Sequence, residues 1–391
     1  MNWLSREELV ASCSTTIPGV LRPHSFQSVC CIRHLVASWS KRGEWPLGLT
    51  NDKGLIVIAV DALTYEFAEA NLSSDRLFCL TSSFPSTSVV SWLSSVTGAS
   101  PGDHRVAGPV ALRPGVEGVY NVIRGNIARF GESGVVVAGV PPPPGMARPT
   151  LFDDLRDDGV EGVALIGDFL GICEGWIGEL THGAIRRNPP RTLDDIRLDP
   201  KAIAALAVAQ VEAELAPDRR RCVWTYVNLD EHIHHHGYDL TLRDVLHGLQ
   251  QAARRWADQG YTVLLYSDHG QIANSCVPAD LAAFDALGSS RYCRLPPGGA
   301  GRVRWLYPHA AQEDRLVRCL TEALGEHAFV CHSDELPSIG LTDALGLPGA
   351  GSVIAMATGS RFPVPDPNYR FEHGSATADE MLVPLAFWGP Q

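Results

Sequence analysis

Three short apolar runs, far apart in the chain, each lead into an aspartate. They read LIVIAV before Asp61, TYVNL before Asp230 and VLLYS before Asp268. Short runs rich in β-branched residues are typical of strands buried on both faces of a parallel sheet. An aspartate after such a strand lies at the carboxyl end of the sheet, where open α/β sheets place their ligand sites. The sequence therefore predicts an α/β protein with a mostly parallel central sheet and three acidic side chains at one edge.

Histidines accompany these aspartates. His269 follows Asp268 directly, His234 lies four residues after Asp230, and His373 stands near the C-terminus in RFEHGSA. Taken singly, an aspartate here could be a helix or turn cap, and a histidine a hydrogen-bonded core residue. Together, three carboxylates and three imidazoles suit divalent transition metals and are enough to hold two ions. The imidazoles favour zinc over magnesium, with manganese as the alternative.

A cluster of hydroxyls lies between the first two of these sites. Ser86, Thr87 and Ser88 precede Val89–Val96, whose apolar residues have helical spacing. A hydroxyl at this point lies at a helix N-terminus, where unpaired N–H groups and the macrodipole favour an anion such as phosphate. Beside metal ions, such a hydroxyl is an activated nucleophile. The alternative is that Ser86 or Thr87 serves only as the N-cap of the helix.

The order of these motifs is more specific than any one of them. The chain resembles the alkaline phosphatase superfamily, and within it the type I phosphodiesterase and nucleotide pyrophosphatase branch, over about residues 54–388. The motifs that carry the resemblance are, in order, Asp61, FPSTS followed by VTG, Asp230-x-x-x-His234-x-x-Gly237, Asp268-His269-Gly270 and His373-Gly374. The resemblance implies a three-layer α/β/α core with a mostly parallel central sheet and an inserted cap region.

The resemblance also implies a ligand set for each of two divalent ions. It assigns Asp61, Ser88, Asp268 and His269 to one ion, and Asp230, His234 and His373 to the other.

The nucleophile follows from the spacing of the same branch. The threonine of that branch falls nine residues before Thr97, at Ser88, and serine performs the same alkoxide chemistry. Thr87 is the alternative nucleophile. The sulfatase branch requires a Cys-x-Pro-x-Arg motif, and the chain has Asp280 in the arginine position after Cys276, which argues against that branch.

Two further groups of polar residues carry weaker predictions. Asn121 could hydrogen-bond a non-bridging phosphate oxygen, as an asparagine does in the branch, and the alternative is a solvated helix face. The histidines that flank His234 are predicted to point in different directions and to orient a ligand or meet the substrate rather than to form a third metal site. They are His232, His235 and His236.

The function implied by the resemblance is metal-dependent phosphoryl chemistry. The expected reaction is cleavage of a phosphodiester or pyrophosphate bond in a small phosphorylated substrate, through a covalent phosphoserine or phosphothreonine intermediate. A phosphomonoesterase or a phosphomutase on the same scaffold is the alternative. A non-catalytic protein that retains the fold is a third class, and the complete ligand set argues against it.

Composition agrees with a soluble enzyme. A chain of 391 residues with 45% hydrophobic residues can bury a large core, and its net charge of -12 argues against binding to a nucleic-acid polymer. No apolar stretch is long enough to cross a bilayer, and the N-terminus lacks the features of a signal peptide. We therefore expect a cytoplasmic protein whose ten cysteines are reduced thiols. The sequence does not indicate the oligomeric state.

The chain is predicted to consist of a helical N-terminal extension, residues 1–53, and a catalytic domain, residues 54–391. Insertions are predicted at about 99–221 and 275–365, and the PPPPG run at 141–145 is predicted to be a stiff turn or loop. The candidate helices are Leu4–Ala11, Val29–Trp39, Thr150–Asp157, Pro200–Leu215, Leu242–Gln259 and Ala311–Leu324, and RVRWLYP is a candidate strand.

Overall fold

The computed structural model describes residues 3–41, 45–47, 53–113, 115–135, 148–167, 174–187, 199–215 and 219–390. The PPPPG run at 141–145 lies outside the described residues. The strands in the described ranges are β1 (Gly54–Val60), β2 (Arg76–Thr81), β3 (Val110–Leu112), β4 (Val119–Asn121), β5 (Asn126–Arg129), β6 (Glu132–Val135), β7 (Glu161–Leu165), β8 (Ile185–Arg187), β9 (Arg221–Val227), β10 (Thr262–Ser267), β11 (Ile272–Ala273), β12 (Cys293–Ala300), β13 (Val303–Pro308), β14 (Ala328–His332), β15 (Val353–Ala357), β16 (Phe371–Glu372) and β17 (Leu382–Trp388).

The α-helices of the same ranges include all six predicted ones, and each predicted end lies within two residues of the observed end. The helices are α1 (Arg6–Cys13), α2 (Cys31–Ser40), α3 (Tyr65–Asn71), α4 (Ser88–Thr97), α5 (Pro101–His104), α6 (Leu151–Asp157), α7 (Glu174–Leu180), α8 (Pro200–Glu214), α9 (Asp230–His236), α10 (Leu240–Asp258), α11 (Pro278–Leu287), α12 (Glu313–Leu324) and α13 (Ala378–Met381). None of the described helices is long and apolar enough to span a membrane.

A seven-stranded sheet forms the centre of the molecule, in the order β2-β17-β10-β1-β9-β7-β8. The strands β10, β1, β9, β7 and β8 run parallel, and β17 pairs antiparallel with both β10 and β2. All seven residues of β1 are buried, as expected for a central strand of a sheet covered on both faces. The mostly parallel sheet predicted from the apolar runs is thus confirmed.

Helices cover both faces of this sheet. Because side chains alternate along a strand, Leu55 and Val57 of β1 pack with α2, α4, α6 and α7, whereas Ile56 and Ile58 pack with α3, α8 and α10. Burying an aliphatic side chain of this size contributes about 1.5–3 kcal/mol, so these two interfaces supply much of the stability. The result is the three-layer α/β/α core that the resemblance implied.

A second sheet of eight antiparallel strands has the order β14-β15-β13-β12-β3-β4-β5-β6. The helices α11 and α12 cover one face, and the other face packs against α1 and the segment that follows β2. Its strands come from both predicted insertions, because β3–β6 lie in the first and β12–β15 in the second. The first insertion differs from the prediction in one respect: residues 161–187 contribute β7 and β8 to the central sheet.

Candidate metal centre and active site

The carboxyl ends of three adjacent strands bring the predicted aspartates together. Asp61 directly follows β1 and Asp268 directly follows β10, while Asp230 is the first residue of α9, shortly after β9. The strands lie in the order β10-β1-β9 and run parallel, so their carboxyl ends meet at one edge of the sheet. His373, which follows β16, reaches the same place from the C-terminal segment.

Asp230, His234 and His373 form one group of potential metal ligands. The Nε2 atom of His234 is 3.2 Å from Oδ2 of Asp230, and the Nε2 atom of His373 is 3.8 Å from Oδ1 of the same carboxylate. His234 lies four residues after Asp230 on α9, so both side chains share one face of that helix. This geometry presents three ligand atoms to a single point.

Asp61, Asp268 and His269 converge beside that group. The Nε2 atom of His269 is 3.5 Å from Oδ1 of Asp61 and 3.3 Å from Oδ2 of Asp268. Asp61 and His269 also form a group of potential ligands with Asp230, whose carboxylate therefore stands between the two groups. All three side chains of this second group are almost completely buried.

Hydrogen bonds fix the three imidazole rings in one orientation. The Nδ1 atoms of His234, His269 and His373 lie 2.8, 3.1 and 2.8 Å from the backbone carbonyls of Phe371, Gly270 and Ser86. An Nδ1–H that donates to a carbonyl leaves the Nε2 lone pair free, which is how a metal-binding histidine is commonly held. In all three rings Nε2 is the atom that faces the carboxylates.

Ser88 directs its hydroxyl into the second group. Its Oγ atom is 3.1 Å from Nε2 of His269 and 3.3 and 3.4 Å from the two carboxylate oxygens of Asp61. Ser88 is the first residue of α4 and is partly exposed. Thr87, the alternative nucleophile, is 3% exposed and occupies the N-cap position, but its side chain makes no capping hydrogen bond.

Backbone geometry next to Asp61 holds this arrangement. Ala62 has a φ of 63°, a left-handed conformation that an alanine adopts only when its surroundings impose it. Its N–H donates to Oδ1 of Asp268 at 3.2 Å, and its carbonyl accepts from the hydroxyl of Tyr238 at 2.8 Å. These contacts connect the loop after β1 to the loop after β10.

Sequence reasoning missed two residues that contact the aspartates. The hydroxyl of Tyr226 donates to Oδ2 of Asp61, and the side-chain nitrogen of Gln271 donates to Oδ1 of Asp230 at 2.6 Å. Both are buried. Tyr226 lies inside β9, where an aromatic residue reads as core, so the sequence holds no separate signal for its contact.

Crowding of carboxylates shifts their pKa values. Burial and the neighbouring charges of Asp268 and Asp230 raise the pKa of Asp61 well above its ordinary value. Burial, with the charge of Asp230, raises the pKa of Asp268 to about 8. One oxygen of Asp268, Oδ2, is buried without a hydrogen-bond partner. A cation beside these carboxylates would favour their deprotonated forms.

The pKa values of the ligand histidines His234 and His269 shift in opposite directions. Burial alone would raise the pKa of Asp230, but His234 and His373 hold it below its ordinary value. Burial would lower the pKa of His234, but the Asp230 carboxylate raises it to about 10. Burial, together with the charge of His373, lowers the pKa of His269 well below its ordinary value, so this ring is neutral and available as a ligand.

The donor set fits divalent metal ions. It contains three carboxylates and three imidazoles whose Nε2 atoms face inward, and one carboxylate oxygen is buried without a partner. A divalent cation would stabilise the deprotonated form of each carboxylate and give that oxygen a ligand. Asp230, His234 and His373 would hold one ion, and Asp61, Asp268, His269 and the Ser88 hydroxyl would hold the other.

The remaining candidates lie outside these two groups. Asn121 ends β4, and its side-chain oxygen accepts from the backbone N–H groups of Ile123 and Arg124 at 3.0 Å, which are the bonds of a turn. His235 contacts Glu231, and His232 lies 3.2 Å from Asp239. Within the described part of the chain, neither these histidines nor His236 belongs to a group of three potential ligands.

Known structures share this fold. No protein-family model matches the chain, and no curated protein matches it in sequence. Murine ectonucleotide pyrophosphatase/phosphodiesterase 5, solved as an inactive variant in complex with AMP, is similar to it with a TM-score of 0.61, 14% identity, and coverage of 86% of this chain and 88% of that chain.

Phosphonoacetate hydrolase from Sinorhizobium meliloti, in complex with phosphonoformate, is similar with a TM-score of 0.60 and 13% identity over 86% of this chain and 90% of that chain. The human ectonucleotide pyrophosphatase/phosphodiesterase 5 is similar with a TM-score of 0.57 and 13% identity over 86% of this chain and 88% of that chain. At these identities the similarity shows a shared fold, and the fold that the resemblance implied is confirmed.

Proposed function

We propose that the protein is a metal-dependent phosphohydrolase that cleaves a phosphodiester or diphosphate bond in a small phosphorylated substrate, with Ser88 as the nucleophile. The observation that carries this proposal is the position of the Ser88 hydroxyl, which is partly exposed and contacts both His269 and Asp61. The AMP complex of the murine structural neighbour supports a small phosphate-bearing substrate.

The start of α4 supplies the groups that receive a phosphoryl oxygen. The N–H of Val90 donates to the Thr87 carbonyl at 3.0 Å, but the Thr87 side chain gives the helix no cap, so the N–H groups of Ser88 and Val89 have no capping acceptor from it. A phosphoryl oxygen beside Ser88 can accept from these groups, and the helix dipole favours its negative charge. The donors are fixed before the reaction and therefore need no reorganisation as charge develops.

The reaction then takes two displacements at phosphorus. Oγ of Ser88 forms a bond to phosphorus while the bond from phosphorus to the leaving oxygen breaks and that oxygen takes up the serine proton, which leaves Ser88 esterified to the phosphoryl group and its remaining substituent. Water then attacks phosphorus, the bond to Oγ breaks, and Ser88 regains its proton. Two bound divalent ions would lower the pKa of the Ser88 hydroxyl and of water and offset the negative charge of the phosphoryl group.

The charges around the site favour a diester over a monoester. The charged side chains that most shift the pKa values of five of the six Asp and His ligands are themselves Asp, Glu and His. A phosphomonoester dianion brings one more negative charge than a diester, and this charge would have to be offset by the proposed metal ions beside three carboxylates.

A substrate panel tests the proposal. The purified protein is assayed with zinc or manganese on bis(4-nitrophenyl) phosphate, thymidine 5′-(4-nitrophenyl phosphate) and 4-nitrophenyl phosphate. Acid-quenched samples are searched by mass spectrometry for Ser88 that carries the phosphoryl group with the substituent retained from each substrate. We expect faster turnover of the two diesters and an adduct on Ser88. Faster turnover of the monoester would establish a phosphomonoesterase, and no turnover of any substrate with either metal would contradict phosphohydrolase function.

Elemental analysis of the same preparation tests the metals. We propose two divalent ions per chain, with zinc favoured over manganese because half of the ligands are imidazoles. Protein that contains no transition metal and gains no activity from added zinc or manganese would contradict this assignment.

A further inference from the structure

A cavity of about 470 Å³ lies beside the metal-ligand cluster, because its lining residue Gln271 donates a hydrogen bond to Asp230. It is bounded by α3, by Tyr238 two residues before α10 and by the short β11–β16 ribbon, and its size is that of a small-molecule site. The lining residues that matter for its chemistry are Glu66, Phe67, Tyr238, Gln271, Phe371 and Asp379, and the others are one threonine, two alanines and one isoleucine.

Three aromatic rings form a continuous wall of this cavity. The ring centroids of Phe67 and Tyr238 are 5.3 Å apart, and those of Tyr238 and Phe371 are 6.1 Å apart with the planes at 87°. All three side chains are only partly buried, so they present surface to the cavity. Aromatic faces carry negative electrostatic potential and attract organic cations.

The charged groups of the cavity are all acidic. Glu66 and Asp379 are exposed and lie at its mouth, and among the described residues that line the cavity there is no Lys, Arg or His. The Tyr238 hydroxyl already donates to the carbonyl of Ala62. Partial burial and the charges of Glu380 and Glu66 raise the pKa of Asp379, and the charges of Arg302 and Arg6 oppose this shift only in part. The cavity therefore disfavours phosphate and is chemically distinct from the proposed phosphoryl site.

Gln271, one of the lining residues, has a side-chain oxygen that accepts no hydrogen bond. Its side chain is 1% exposed, and its nitrogen donates to the Asp230 carboxylate at 2.6 Å and to the Asp230 carbonyl at 3.2 Å. These two bonds fix which end of the amide is oxygen. That oxygen, Oε1, is buried and has no hydrogen-bond partner. A buried acceptor without a donor costs about 1–3 kcal/mol, which a ligand N–H would recover.

We propose that this cavity binds the primary ammonium group of a small organic amine. The ammonium N–H groups donate to Oε1 of Gln271 and to a carboxylate at the mouth, and the carbon chain of the amine packs against the aromatic rings. A quaternary ammonium matches the rings and the charge but cannot donate to Gln271. A neutral alcohol can donate but lacks the charge that Glu66 and Asp379 attract.

Three matched probes test this by isothermal titration calorimetry on the full chain. They are 2-phenylethylammonium, its neutral analogue 2-phenylethanol, and trimethyl(2-phenylethyl)ammonium. We expect the primary ammonium to bind with a Kd at least about tenfold lower than that of either analogue. The titrations are repeated after chelator treatment, because direct coordination of the amine to a metal would then be lost whereas binding in the cavity would remain.

Variants locate the site. Asp379→Asn should weaken binding of the primary ammonium several-fold, while Asp258→Asn, the same change at an exposed residue on α10 outside the cavity, should leave it unchanged. Equal binding of the alcohol would show only an apolar cavity, and equal binding of the trimethyl compound would remove the role of Gln271. No binding of any probe at about 10 mM would contradict the proposal. None of these readouts depends on phosphohydrolase activity.

Discussion

At the scale of single residues, Ser88 and Thr87 are adjacent hydroxyls with different surroundings. Ser88 is partly exposed and contacts His269 and Asp61, whereas Thr87 is buried and makes no capping hydrogen bond. The proposal that Thr87 acts only as a side-chain cap therefore has no hydrogen bond to support it. The difference between the two hydroxyls makes their substitution a direct test of the nucleophile.

We expect Ser88→Ala to reduce turnover of bis(4-nitrophenyl) phosphate by at least about a thousandfold, because no other described hydroxyl contacts both His269 and Asp61. Metal content should stay close to that of the unmodified protein, since six other groups supply the ligands. Thr87→Ala is the matched control and should change turnover by less than about tenfold. The reverse ranking would move the nucleophile to Thr87.

The histidines of one proposed ion provide a second prediction. His234→Ala and His373→Ala should each lower the metal content by about one ion per chain, because both rings serve the same site. The double variant should lose no more metal and little more activity than either single variant. Metal content and turnover of all three variants are the measurements, and strictly additive activity losses would show that the two rings serve different ions.

At the scale of helices and strands, the sequence predicts those elements whose position depends on the local pattern of apolar residues. The runs before Asp61 and Asp268 are strands because continuous apolar sequence suits a strand covered on both faces. The contact of Tyr226 with Asp61 spans 165 positions, and no local pattern encodes such a separation. The strands β7 and β8 lie in a stretch that the sequence predicts as an insertion, because that stretch is rich in Gly and Pro.

The helix α7 carries a buried carboxyl group with a testable pH dependence. Burial raises the pKa of Glu179 from 4.5 to about 7, against the opposing charge of Arg113, and Oε2 of Glu179 is buried without a hydrogen-bond partner. Between these two pH values the folded protein keeps a proton that the unfolded chain has released. The contribution of Glu179 to stability therefore falls as pH rises through this window.

We expect Glu179→Gln to raise the free energy of unfolding at about pH 8 by on the order of 1–2 kcal/mol, and the melting temperature with it. At about pH 4.5 both quantities should change much less. Glu322→Gln, the same change at an exposed residue of α12, should have no such pH-dependent effect. Differential scanning fluorimetry across this pH range checks it. An equal gain at both pH values would show that the charge of Glu179 is not the cause.

At the scale of the whole molecule, the metal-ligand cluster joins elements that are distant in sequence. Asp61, Asp230 and Asp268 come from the central sheet, whereas His373 comes from the C-terminal segment. Ser86 connects that segment to the nucleophile loop, because its carbonyl accepts from His373 and its hydroxyl donates to the Ser375 carbonyl at 2.6 Å. Bound metal should therefore stabilise the fold as well as the reaction.

The pH dependence of that stabilisation follows from two groups. In metal-free protein, burial raises the pKa of Asp268 to about 8, and Asp230, against the effect of burial, raises the pKa of His234 to about 10. Between about pH 6.5 and pH 8 the folded chain keeps protons on these groups that the unfolded chain has lost. Metal-free protein therefore becomes less stable as pH rises through this window, whereas metal binds the deprotonated ligands.

We therefore expect the melting temperature in excess zinc to exceed that in excess chelator at about pH 6.5, and the difference to grow by several degrees at about pH 8. Differential scanning fluorimetry at matched ionic strength measures both values. The control is Asp268→Asn, which removes one of the two titrating groups and one ligand, so its difference should be smaller and less dependent on pH. Metal that competes with protons for its ligands must bind more tightly as those protons leave. If the difference between the two melting temperatures shrinks toward about pH 8 in the unmodified protein, these carboxylates and imidazoles do not bind the metal.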